Sequence, residues 1–188
     1  MSEFNKILLE ISKQAILDSL NNTKKLNRDN YIKKYPKLLE KRATFVTLNK
    51  KKALRGCIGS LSPYQALIDD IINNANAAAF EDPRFSVMTK KEFNDVDIEI
   101  SLLTIPKKLE YKDVNDLKNK IKVNTDGVVL KYSGHRATFL PQVWEQLATF
   151  ELFFQYLCDK AGLNINCLEN HPDIEIYQVE KILEGRNE

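Results

Sequence analysis

The residues best placed to do chemistry stand at Leu54–Ser60, LRGCIGS, where a cysteine lies between two glycines and an arginine lies two residues before it. Along a strand, side chains alternate between faces, so Leu54 and Ile58 would share one face and Arg55 and Cys57 the other. The first pair reads as core. The second pair would face a cleft or solvent, roughly 7 Å apart at the α-carbons by strand rise. Glycine at positions 56 and 59 lets another backbone, or a ligand, approach closely. An arginine beside a thiol favours thiolate, the reactive form. The competing reading is a buried cysteine whose glycines permit tight packing or a bulge.

Two further stretches carry polar groups in suggestive places. In AFEDPRFS, residues 79–86, Asp82-Pro83 ends a helix, because a residue before proline avoids helical geometry. Arg84 falls just beyond, between Phe80 and Phe85, either aimed at an anion or held in a turn by Asp82. In VDIEISLL, residues 96–103, Asp97, Glu99 and Ser101 share one face opposite Ile98, Ile100 and Leu102. If that face borders LRGCIG, Glu99 can pair with Arg55 or take a proton. A solvated sheet face is the commoner outcome.

Other chemistries find little support. His135 and His171 match no metal-ligand spacing, and no C-x-x-C is present, so no metal site is expected. No phosphate-binding glycine loop appears and no cofactor is read from the sequence. His135 sits at a hairpin tip, where a turn role is expected. Cys158 lies on a helical stripe with Phe150, Phe154, Leu157 and Ala161, which reads as core, so its thiol should be buried and inert.

These residues need elements to position them. Phe4 to Leu20 is an amphipathic helix. Ala43–Leu48 and Ala53–Gly59 are paired strands joined by a turn at 49–52. Pro63 is expected to open the next helix with Ser62 as its cap. Val96–Leu103 is a half-buried strand and Val114–Ile121 a short helix. Val128–Tyr132 and Arg136–Leu140 form a hairpin across Ser133-Gly134. Val143–Leu163 is helical with a break near Thr149 and a cap at Gly162. Ile174–Val179 is a last strand. This order gives an α+β fold, a mainly antiparallel sheet with flanking helices, in a single domain with room for a smaller lobe and a cleft.

The totals exclude several classes. The formal charge is +2, too balanced for a protein whose main task is binding nucleic acid or anionic lipid. The three cysteines, Cys57, Cys158 and Cys167, are odd in number and widely spaced, which argues against a disulfide framework and for a reducing compartment. With no apolar signal core and no window of membrane-spanning length, a cytoplasmic protein is expected.

Taken in order, LRGCIG, AFEDPRF, IEISLLT, FLPQVWEQ and CDKAGL resemble the AMMECR-type domain family, from about Ala43 to Tyr177. Its bacterial and archaeal branch is called AmmeMemoRadiSam system protein A. The resemblance implies a compact α+β fold with a cleft, and association with two proteins: a Memo-like protein, akin in fold to extradiol dioxygenases, and a radical S-adenosylmethionine enzyme. Carried over by motif, Arg55, Gly56, Cys57 and Gly59 form the signature. Asp82, Pro83, Arg84 and Phe85 match the second block, and Glu99 and Ser101 the third. Leu140, Pro141, Gln142, Val143 and Glu145 match the fourth, and Lys160, Ala161 and Gly162 the last. The departure is GHRATFLPQ, where Ala137-Thr138 replaces the glycine that relatives tend to carry.

Two functions are consistent with this reading. The preferred one is a binding component that grips a small anionic ligand or peptide through Gly56, Gly59, Asp82, Arg84, Ser101 and Gln142. The alternative is an enzyme with Cys57 as nucleophile or redox thiol, Arg55 as its activating charge and Glu99 as its proton carrier.

Overall fold

In a computed structural model describing residues 1–184, the chain divides into two compact units. The first comprises residues 1–103 and the stretch from Glu180; the second runs from Thr104 to Val179.

The first unit opens with α1 (Glu3–Asn21), capped by the Ser2 hydroxyl, which accepts from the Asn5 amide, and stopped by Asn22 in the left-handed region at φ 52°. A short helix, α2 (Arg28–Lys34), and a 3₁₀ turn at Pro36–Leu39 follow. Strands β1 (Thr44–Lys50) and β2 (Ala53–Gly59) form the expected hairpin. Its turn residues Lys51 and Lys52 both take positive φ, as a hairpin with two turn residues requires.

Helix α3 (Leu67–Phe80) begins later than expected: Pro63 and Ser62 lie in the preceding loop, and no side chain caps the helix. Its start is instead tied down by the Leu67 amide, which donates to the Glu40 carbonyl. A short α4 (Lys90–Phe93) precedes β3 (Val96–Leu103).

The second unit contains β4 (Lys107–Lys108), α5 (Val114–Lys120), β5 (Gly127–Tyr132), β6 (His135–Phe139), a 3₁₀ turn at Pro141–Glu145, α6 (Phe150–Lys160), a 3₁₀ turn at Cys167–Asn170 and β7 (Asp173–Tyr177). The Thr149 hydroxyl caps α6, which is the expected break, and Gly162 ends it at φ 71°. Strand β8 (Val179–Leu183) returns the chain to the first unit.

The described residues form two four-stranded sheets, ordered β2-β1-β3-β8 and β4-β7-β5-β6. The fold is α+β, as expected; the second sheet and β8 were not. In the first unit, Val46, Leu48, Ile98 and Ile100 pack with Leu8, Ile11, Ile16, Ile68 and Ile71 of α1 and α3 into one core. In the second, Trp144, Phe150, Phe153, Phe154 and Leu157 pack onto Val128, Leu130 and Ile174.

One cysteine reading is overturned. Cys158 is fully buried on the expected face, but it is not a free thiol: it forms a disulfide with Cys167. An odd count is no argument against a single bridge when two of three cysteines meet, here nine residues apart.

Candidate functional site

Strand register decides where the LRGCIG side chains go. Val46 pairs with Ile58, Thr47 with Cys57 and Leu48 with Gly56, but Asn49 then pairs with Leu54. Arg55 is therefore an extra residue in the ladder, a bulge, and strict alternation breaks there. Leu54 joins the Cys57 face and is 44% exposed, not core as alternation predicted. Ile58 stays with the core.

Arg55 departs further from expectation. It is 8% exposed, buried rather than open to solvent as expected. Its Nε and Nη2 donate to the two Glu92 carboxylate oxygens at 2.8 and 3.0 Å, and Nη2 also donates to the Ser86 carbonyl. Arg55 holds the Glu92 carboxyl down at about 2, with help from Lys50. The partner foreseen for Arg55 was Glu99; that carboxylate instead faces Lys181, at 3.9 Å. Nη1 of Arg55 has no hydrogen-bond partner although it is shut off from solvent.

The glycines serve packing. A Cβ at Gly56 would stand 2.1 Å from the Ala78 carbonyl oxygen, so the position admits the backbone of α3. A Cβ at Gly59 would stand 2.2 Å from the Phe45 ring, which lies across it. Neither glycine leaves a bare floor; each is already covered by the chain's own atoms.

Across β2, β1 and β3 the face away from the helical core is built in rows. Leu54, Asn49 and Asp97 form one, Cys57, Thr47 and Glu99 the next, Gly59, Phe45 and Ser101 the third. Cys57 and Glu99 thus share a face, as expected, but Thr47 stands between them and its hydroxyl donates to the Cys57 sulfur at 3.2 Å. Two strand spacings separate their backbones, about 9–10 Å.

Asp82 and Arg84 do meet LRGCIG. The Cys57 amide donates to Asp82 Oδ2 at 2.9 Å, and Arg84 Nη2 donates to the Cys57 carbonyl at 3.2 Å and to Asp82 Oδ2 at 2.7 Å. Asp82 is 4% exposed. The Arg84 guanidinium, seconded by the Cys57 and Arg84 amides, holds its carboxyl well below the usual range against the opposing effect of burial. The guanidinium carbons of Arg55 and Arg84 each lie over the Phe85 ring, at 5.6 and 5.5 Å from its centre. Arg84 spends Nε and Nη2 in this cluster and its side chain stays 53% exposed, leaving the two N–H groups of Nη1 for an incoming acceptor.

Of the sequence-chosen residues, Arg55, Gly56, Cys57, Gly59, Asp82, Arg84, Glu99 and Ser101 all lie in the first unit. Gln142 lies in the second, exposed on the Pro141–Glu145 turn. The histidines are engaged locally: His135 Nδ1 contacts the Ala161 carbonyl at 2.8 Å, and His171 stacks on Tyr111. Glu92 and Thr47 were missed. Thr89-x-x-Glu92 has the spacing of a helix start, which would have flagged α4, but no local signal joins Glu92 to an arginine 37 residues away. Among the described residues no group of three His, Cys, Asp or Glu side chains converges as metal ligands would.

Comparison with known proteins agrees with this architecture. The AMMECR1 family model matches residues 9–182. A protein from Thermofilum pendens is 34% identical over 94% of this chain and 87% of its own length. One from Methanothermobacter thermautotrophicus is 36% identical over 92% of this chain and 89% of its own. The crystal structure of an uncharacterised protein from Pyrococcus horikoshii superposes with a TM-score of 0.74 at 31% identity, covering 96% of this chain and 91% of that one.

Proposed function

The chain belongs to the AMMECR1 family, and from that premise we propose that it is a binding component, not a free-standing catalyst. It works in the cytoplasm beside a Memo-like protein and a radical S-adenosylmethionine enzyme, and it holds a carboxylate-bearing ligand or peptide segment at the LRGCIG face. A disulfide between two fully buried cysteines tolerates such a compartment because exchange needs access.

The observation that carries this reading is the internal pairing of the charges around Cys57. Asp82 is taken by Arg84 and the Cys57 amide, Arg55 by Glu92, and Glu99 lies across Thr47. Among the described residues the Cys57 sulfur is hydrogen-bonded by the Thr47 hydroxyl and by no carboxylate, whereas a cysteine nucleophile needs a general base. The Arg84 guanidinium is half free, and that suits recognition of an anion.

The test is co-expression with the two partner proteins and capture of the complex through this chain. Retention of both by the parent and loss with Arg84→Ala supports the reading. A complex indifferent to Arg84→Ala overturns it. If Cys57→Ser retains the partners but abolishes turnover of a substrate, the enzyme reading replaces this one.

A further inference from the structure

The second unit carries a groove unrelated to LRGCIG. It is a cavity of about 250 Å³ between α5, α6 and the segment that holds the Cys167–Asn170 turn. Phe150, Phe154 and Leu168 give it apolar walls, and Ile165 stands at its mouth, 54% exposed. Lys118 and Glu151 also line it and neutralise each other as an ion pair, and among the described residues Glu169, the remaining charge of the lining, makes no ion pair. Such a lining rejects anions. It favours a flat apolar body with a hydrogen-bond donor for Glu169.

The disulfide ties the walls together. Cys158 lies on α6 one turn after Phe154, and Cys167 stands between the lining residues Asn166 and Leu168. The hydrogen bonds of residues 164–170 run within their own neighbourhood: Asn166 and Cys167 amides to Asn164, Glu169 to Asn166, and His171 back to Leu168. Among the described residues, side-chain packing and the Cys158–Cys167 bond are what hold this wall against α6.

We propose that this groove is a binding site for a neutral aromatic molecule of one or two rings bearing an N–H or O–H donor, and that the Cys158–Cys167 disulfide keeps the site formed. Reduction by a dithiol breaks the S–S bond, transfers two electrons and two protons to give two protein thiols, and leaves the dithiol as its own disulfide. Both sulfurs are buried, so exchange proceeds only when the wall swings away from α6. A ligand that needs the closed wall therefore opposes reduction, and by linkage reduction weakens the ligand.

The probe is indole, added to the full oxidised chain while backbone amide resonances are followed by NMR. Saturable shifts are expected at Phe154, Ile165 and Leu168. Indole-3-acetate, an anion of the same shape, is expected to bind at least tenfold more weakly, as is indole to Ile165→Glu, a change at an exposed position. With indole at ten times its Kd, reduction by dithiothreitol is expected to slow about elevenfold. Shifts that do not saturate, or equal affinity for the anion, overturn the site. A reduction rate indifferent to bound indole overturns the role of the disulfide.

Discussion

The two units are held together by different means. In the first, the buried charges are matched: Arg55 to Glu92, Asp82 to the half-exposed Arg84, and Asp70 to Thr44, Ser60, Gln65 and Asn74. In the second, the centre is aromatic. Trp144 stacks on Phe153 at 3.6 Å, Phe153 and Phe154 meet edge to face, and a disulfide closes the periphery. Charge pairing fixes one arrangement because any other strands an ion, whereas aromatic packing tolerates adjustment and gains permanence from the covalent tie. The two proposed sites follow the same division. Exposed polar chemistry sits on the unit with matched charges, and the apolar groove sits on the other.

This contrast can be broken most forcefully at Glu92. Glu92→Ala strands the buried Arg55 guanidinium and should destabilise the first unit by about 3 kcal/mol. Denaturant unfolding followed by Cys57 alkylation should move to lower concentration. Trp144, the lone tryptophan, reports the second unit, and its fluorescence midpoint should move less if the units are energetically separate. Equal shifts would dissolve the distinction. Next, Gly56→Ala sets a methyl against the Ala78 carbonyl and should cost about 2–3 kcal/mol, read in the same way.

Cys158→Ala with Cys167→Ala opens a short loop and should lower the stability of the second unit, read by Trp144 fluorescence, by about 2–3 kcal/mol, with Cys57 alkylation little changed. Acid should separate the units too. The folded pKa of Glu92, about 2, lies below its usual 4.5. Its contribution is therefore full above about 4.5 and fades as pH falls toward 2. Asp82 acts in the same direction. Protection factors at Val46 and Ile68, taken against the intrinsic exchange rate at each pH, should fall on acidification before Trp144 fluorescence changes. The smallest effect is Thr149→Ala, which removes the α6 cap and should cost the second unit about 1 kcal/mol.

Much of this was legible in residue order because the signals were local. The α1 stripe, the β1–β2 hairpin, the Ser133-Gly134 turn and the Gly162 stop all arise from neighbours along the chain. The failures were long-range or one residue wide. The bulge at Arg55 depends on how β2 meets β1, and it sent Leu54 outward and Arg55 to Glu92. Helix α2 carries no buried residue, so its polar sequence showed no apolar stripe. The Cys158–Cys167 bridge needs the turn at Cys167–Asn170 to fold back, which spacing alone does not reveal.

The clamp on Cys57 has a consequence for how the molecule behaves in a crowded solution. Strand β2 is an outermost strand of its sheet, and such a strand ordinarily offers its outward amides and carbonyls to any other extended chain. At Cys57 both are already occupied, the amide by a carboxylate and the carbonyl by a guanidinium, as a neighbouring strand would occupy them. Asp82 and Arg84 thus act as a blunt end to the sheet, and the Lys51-Lys52 turn adds charge at its tip. Without them, β2 would be open to self-association, in competition with the binding proposed for the LRGCIG face.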